Sequence, residues 1–271
     1  MRASWVALLL MAPGLAGAES QPLWELGAGA SVLAFPAYRG SEQTELYVLP
    51  APYLVYRGEH VRVDRGVLRG LLFDTNRAEF DLSLNAAAPV SSDDVDAREG
   101  MPDLAAVFEV GPSLNVRLSE DREGPTWTLL LPLRAVIGID ERELRYVGWL
   151  FNPKLNFYWR QFAGAWNLGF SVGPLFADRH YHNYYYGVDD RYATPTRPVY
   201  EGKAGYSGAT ALATLTRRFG QWWVGGFIRY DNLEGARFER SPLVETKHYL
   251  MGGVALTWVF ATSSEKVGKA D

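Results

Sequence analysis

Residues 249–260 read YLMGGVALTWVF. Leu250, Gly252, Val254, Leu256, Trp258 and Phe260 fall on one face, and Tyr249, Met251, Gly253, Ala255, Thr257 and Val259 on the other. A period of two belongs to a pleated strand and not to a helix. The first face is apolar and ends in two aromatic rings, the pattern of a last strand that closes and targets a barrel in an outer membrane. Lipid tolerates no free sheet edge, so on this reading every earlier segment must supply a strand to a closed sheet.

The same alternation recurs upstream. In 23–32, Trp24, Leu26, Ala28, Ala30 and Val32 oppose Glu25, Gly27, Gly29 and Ser31. Residues 44–56 are extended but carry Pro50 and Pro52, and 61–73 reads as one strand with Gly66 and Gly70 as bulge sites. In 78–86, Phe80, Leu82 and Leu84 oppose Glu79, Asp81, Ser83 and Asn85. Segments 106–116, 127–135, 147–159 and 166–172 continue the pattern, with Val147, Trp149, Phe151 and Phe157 assigned to one apolar face. The tyrosine-rich 180–188 reads as a further short strand, and 210–219, 221–230 and 249–260 finish the set. The expected fold is all-β: an antiparallel transmembrane β-barrel of about 12 strands, with 10 or 14 as alternatives, because bacterial single-chain barrels take even numbers. Pro112, Pro132, Pro153 and Pro174 fall inside strands, where a missing ladder donor calls for bulges or irregular ends.

Alternation alone leaves open whether the apolar face meets lipid or a soluble core. Glu79, Asp81, Glu109, Arg117, Arg134, Lys154 and Arg229 sit on the opposite face of successive strands, which suits a wet, ion-paired interior. Aromatic residues are 14% of the chain, matching the girdles of membrane barrels. The net charge of −4 gives no reason to expect a nucleic-acid partner. Cysteine is absent, which excludes disulfides, thiolate catalysis and cysteine-based metal sites. Arg2, the short apolar core 5–11 and Ala16-Gly17-Ala18 form a signal peptide, with cleavage expected after Ala18. The expected organisation is a signal peptide over 1–18, a barrel over 19–260 and a polar tail over 261–271.

A set of short motifs resembles the MltA-interacting protein family, also called MipA/OmpV. They are Pro36-x-Tyr38-x-Gly40-Ser41, Tyr56-Arg57-Gly58, Arg62-Val63-Asp64 and Arg69-Gly70. Ala97-Arg98-x-Gly100-Met101-Pro102-Asp103-Leu104 and Gly111-Pro112-Ser113-Leu114 follow, then Tyr185-Tyr186-Gly187-Val188, Tyr206-Ser207-Gly208 and Ser241-Pro242-Leu243-Val244. The resemblance spans nearly the whole mature chain. It implies an outer-membrane barrel of a Gram-negative bacterium, in contact with outer-membrane lipid. Some members of the family are described as scaffolds joining a periplasmic lytic transglycosylase to a peptidoglycan synthase, others as osmotically regulated surface antigens, and the scaffold is the role expected here. Members typically end on the last strand's phenylalanine, whereas here 261–271 follows Phe260.

Little points to catalysis, and no enzyme activity, cofactor or metal is expected. His180-x-His182 would place two ligands on one strand face but lacks a third. Ser241 and His248, with Asn152 or Asn156, supply the residue types of a hydrolase without a nucleophile elbow. The tyrosines at 181, 184, 185, 186, 192 and 200 read as a sugar- or peptide-contacting surface or as a girdle with loop packing. A narrow solute pore is the alternative function, and an outer-membrane hydrolase a weaker one. Counting strands from a periplasmic N-terminus puts 89–103 on the periplasmic side, where connections are usually short. A long connection there invites function. Asp93, Asp94, Asp96, Arg98, Met101 and Asp103 are therefore the expected docking surface for the periplasmic enzyme.

Overall fold

The computed structural model describes residues 21–58, 61–64, 67–74, 77–120, 124–140 and 143–267, with side chains left undescribed over 61–74 and at 140. The expected signal peptide lies outside the described residues. The strands are β1 (Gln21–Pro22), β2 (Trp24–Pro36), β3 (Thr44–Arg57), β4 (Val61–Asp64), β5 (Val67–Asp74), β6 (Ala78–Ala87), β7 (Ala106–Arg117) and β8 (Thr126–Asp140). They continue as β9 (Glu143–Phe151), β10 (Lys154–Phe162), β11 (Trp166–Ala177), β12 (Gly205–Phe219), β13 (Trp222–Asn232), β14 (His248–Thr262) and β15 (Lys266–Val267). One helix, α1 (Arg179–Tyr186), follows β11.

Sequence neighbours pair antiparallel throughout one large sheet, and the last long strand returns to the first: β14 pairs with β2 from Gly252↔Ala34 to Thr262↔Glu25. β8 pairs with β9 over Leu133–Asp140 and with β10 over Thr126–Leu130. β11 likewise flanks both β10 and β9. β9 and β10 are thus two segments of one line, broken at Asn152 and Pro153. The break is repaired locally: the Asn152 amide donates to Pro132 O at 3.2 Å, and its side-chain nitrogen donates to Pro174 O at 2.8 Å. Three of the unexplained prolines therefore meet around one asparagine. The last strand runs two residues past Phe260, and within the expected tail β15 pairs with β1.

The two faces differ in polarity as the alternation predicts. Along β14, Leu250 and Val254 are each 60% exposed, while Ala255, Thr257 and Val259 are buried. Asp81, Glu109 and Arg134 are buried between exposed Phe80, Leu82, Phe108 and Leu133.

Three segments depart from the sequence reading. The segment 180–188 is not a strand: its residues as far as Tyr186 lie in α1, whose N-terminus the Asp178 side chain caps by accepting from Tyr181 N at 2.8 Å. Residues 61–73 form two strands, β4 and β5, so the chain reverses there instead of bulging. Val147 is buried with Leu150 and not exposed with Trp149, because Ile137 pairs with Tyr146 but Val136 with Gly148. That extra residue is a bulge, and it switches the face of everything before it.

Candidate functional site: a loop cap over a charged interior

In an antiparallel sheet, alternate connections lie at the same end. The connections 37–43, 88–105, 178–204 and 233–247 share one end, and both described chain ends share the other. The four long connections fold into a cap with its own core. Tyr38, Val95, Leu104, Tyr186, Leu233, Ala236 and Phe238 are all buried in it. Tyr186 and Phe238 stack with ring centroids 3.6 Å apart and planes 5° apart.

Main-chain acceptors tie the connections together. Tyr38 Oη donates to Leu243 O at 2.7 Å, Tyr186 Oη to Arg39 O at 2.9 Å and Ser241 Oγ to Tyr186 O at 2.7 Å. Arg98 donates to Tyr185 O at 3.1 Å and to Pro102 O at 3.0 Å. Gly40, at φ +99°, turns its carbonyl to accept from both Glu245 N and Thr246 N. Gly208, at φ +91°, lies where a Cβ would meet Asn232 O at 2.5 Å. Both positions need glycine. Burial drives the Tyr185 and Tyr186 phenols well above their ordinary range and pushes Tyr181 up to about 12, so all three stay neutral. Burial likewise pulls the pKa of His182 down; its Nδ1 lies 2.6 Å from Lys203 O.

Beneath the cap the interior holds a cavity of about 440 Å³. Tyr181, Tyr185 and Tyr186 reach it from above, and Asp81, Glu109, Arg134, Lys154 and Arg229 from the strands. Charges pair around it. Arg134 meets Glu109 at 3.0 Å, and Asp231 binds Arg39 at 3.0 Å and Arg229 at 2.6 Å. Asn115 donates to Asp81 at 3.0 Å. Toward the chain ends the interior is filled by Ala51, Tyr53, Val55, Trp223, Ala255 and Val259. There Glu25 binds Arg57 at 2.6 Å and Arg218.

The expected docking residues lie in the cap, opposite the chain ends; the count that put them beside the termini is corrected by the β4–β5 reversal. Asp93, Asp94 and Asp96 are exposed, whereas Arg98 is buried at 3% and serves the cap. Asp103 Oδ1 accepts from Ser92 N at 2.8 Å, and Met101 is half-buried. With Arg98 buried, the six do not all face solvent. Ser241 and His248 are not brought together: Ser241 is bound to Tyr186, and His248 Nδ1 lies 2.7 Å from Tyr230 Oη. His180 is exposed and His182 buried, since residues two apart on a helix diverge. Among the described residues no group of three or more metal-ligating side chains clusters. Tyr186 packs in the cap core, and Tyr181 packs against Val107, Val136, Val147, Leu150, Leu175 and Ala177 of the strands, so neither is part of a girdle. Arg39, Asp231, Phe238 and Trp223 were not singled out from sequence, although Arg39 sits inside the first family motif.

A search of curated proteins finds no match. Among solved structures, one described as a bacterial polysaccharide outer membrane secretin matches with a TM-score of 0.42 and 10% identity. The match covers 90% of this chain and 100% of that one. The family described as MltA-interacting protein MipA matches residues 28–260. The motifs that carried the sequence resemblance are largely those that interlock in the cap: Tyr38, Gly40, Arg98, Tyr186, Gly208 and Ser241. The chain belongs to the MltA-interacting protein MipA family.

Proposed function

We propose that the chain is a β-barrel of a Gram-negative outer membrane, closed at twelve strands, that serves as a non-catalytic scaffold for peptidoglycan-remodelling enzymes. The observation that carries the membrane reading is the inverted polarity of the sheet. Carboxylates and guanidinium groups are buried on one face, and the other exposes large apolar side chains on every long strand with described side chains. Monomeric soluble proteins rarely expose contiguous apolar patches beyond a few hundred Å². Closure is supported by the β14–β2 ladder and by β8 and β11 flanking both halves of the β9–β10 line, counted as one strand. With both chain ends periplasmic, the cap faces outward.

Two features favour a scaffold over a pore. The interior is filled toward the chain ends by Tyr53 and Trp223, with ring centroids 6.0 Å apart. The family description names an interaction with MltA, and for this chain we take the partner to be a periplasmic lytic transglycosylase, joined by a peptidoglycan synthase. Such a partner meets the end that carries the chain termini. The acidic row Asp93, Asp94 and Asp96 is then a contact surface on the cap side only. Affinity purification of the full chain from cross-linked native envelope tests this reading. Recovery of a lytic transglycosylase is expected, and its absence with the barrel intact would contradict the scaffold.

A further inference from the structure

We propose that the wall has a lateral opening between β3 and β6, through which a single-chain amphiphile with an anionic head enters the interior cavity from the membrane. The proposal rests on the membrane-barrel reading. β3 pairs with β2 along its whole length in unbroken register, from Thr44↔Pro36 to Tyr56↔Trp24. On its other edge it pairs with β4 only from Val55 to Arg57. Across the gap, β6 pairs with β5 no further than Leu82, leaving residues 83–87 joined to β7 alone. Among the described residues, nothing pairs with the facing edges of 44–54 and 83–87, a local departure from the edge-free sheet that the sequence reading expects. Leu46 and Val48 are each 71% exposed, against 39% for Leu26 and Val32 on the fully paired β2.

The chemistry of that edge keeps it open. Arg57 N donates to Leu23 O, and Gln43 O accepts from Ala37 N, so odd-numbered residues of β3 turn their main-chain groups toward β2. Even-numbered residues turn theirs toward the gap, and two of these are Pro50 and Pro52. Proline has no N–H to offer a further strand, so the edge resists strand addition while its ladder to β2 stays intact. Gln43 bridges the top of the gap: its Nε2 donates to Asp94 O at 3.4 Å, and its Oε1 accepts from Asp96 N at 2.8 Å.

The cavity reaches this gap. Its lining includes Tyr47 on one rim and Leu84, Ala86 and Ala87 on the other, where alanines leave the passage wide. Phe227, Phe35 and Tyr47 form an apolar row inside, with centroid spacings of 6.1 Å and 6.5 Å. Deeper in, Arg134 is engaged by Glu109 and Arg229 by Asp231. Lys154 also lines the cavity, with no hydrogen bond or ion pair among the described residues. An apolar track ending at the Lys154 amine, which an anionic head would hold protonated, fits an acyl chain with a carboxylate or phosphate head, from a free fatty acid or a lysophospholipid.

The experiment uses the full mature chain in phosphatidylcholine vesicles, titrated with dansyl-undecanoate, a dansylated lysophosphatidylglycerol and neutral dansyl-undecanol. Saturable binding of an anionic probe is expected. Binding of the fatty acid alone points to the free acid, and binding of both to lipid heads as well. Lys154→Met should weaken the anionic probes about tenfold and leave the neutral one unchanged. Ala86→Trp, at the rim, should abolish binding of all three. A folded barrel is scored separately by its mobility change on boiling. If that change is absent in the parent protein, the membrane reading fails and the opening with it. If it is present and no probe saturates, the opening alone is overturned. Should Ala86→Trp not assemble, Lys154→Met decides, and an unchanged affinity for the anionic probes overturns the proposal. Cross-linking of a second polypeptide strand along 44–54 would also overturn it.

Discussion

Asp231 holds two cations at the junction of wall and cap, Arg39 from a loop and Arg229 from its own strand. Removing the carboxylate leaves both guanidinium groups uncompensated in a largely closed space. Asp231→Ala is expected to destabilise the protein by about 3 kcal/mol in urea unfolding from vesicles, and Asp231→Ala with Arg39→Met by less. His182 acts through protonation. Its Nδ1 is spent on Lys203 O, and its buried Nε2 has no acceptor among the described residues. Burial, with Arg39 adding to it and Asp178 opposing, holds the folded pKa below the ordinary value. Below that ordinary value the unfolded imidazole binds a proton that the folded one refuses, so cap stability is full at neutral pH and falls as the solution is acidified through the window between the two. Protease nicking of 178–204 should rise as the pH falls below about 6.5. His182→Gln should flatten that dependence. Neither residue's role was legible in sequence. Asp231 is one charge among many on an alternating strand, and His182 lies in a segment whose tyrosines suggested a strand.

At the level of elements, period two was sufficient to find the long strands, because each has one face against polar partners and the other exposed. β14 is the clearest case, and it is where a charge should be least tolerated. Val254→Arg on its exposed face should cost about 2–4 kcal/mol in bilayer folding, while Leu212→Gln, facing the cavity, should cost under about 1 kcal/mol. Equal costs would mean the faces are assigned the wrong way round. Turns and caps were less legible. The helix α1 begins at Asp178, an ordinary N-cap residue, but aromatic residues favour strands and mask it. The β4–β5 reversal leaves no apolar signal, since both strands share one compositional run. Pro50 and Pro52 looked like interruptions of β3; their place on its unpaired edge makes them compatible with an otherwise regular strand.

For the whole molecule, sequence and proposed barrel agree on twelve strands only because two errors cancel. Reading 61–73 as one strand lost a crossing, and reading 180–188 as a strand restored it. Every connection between those two points was assigned to the wrong end, including 89–103, which is why a docking surface was expected where the protein has built part of a cap. The cap and the cluster of Tyr53 and Trp223 close the interior at both ends, so planar-bilayer recordings should show no large, stable ohmic conductance. Substitution of Trp223 with alanine empties that end alone, so conductance should stay low while the cap on the other end is intact. The most direct test exploits the absence of native cysteine. Single cysteines placed in turn along 250–259 and labelled with a fluorophore in vesicles report contact with brominated lipid. Strong quenching is predicted at 250, 252, 254, 256 and 258, and weak quenching at 251, 253, 255, 257 and 259. Quenching at the odd positions, or quenching without a period of two, would contradict an inside-out sheet set in lipid.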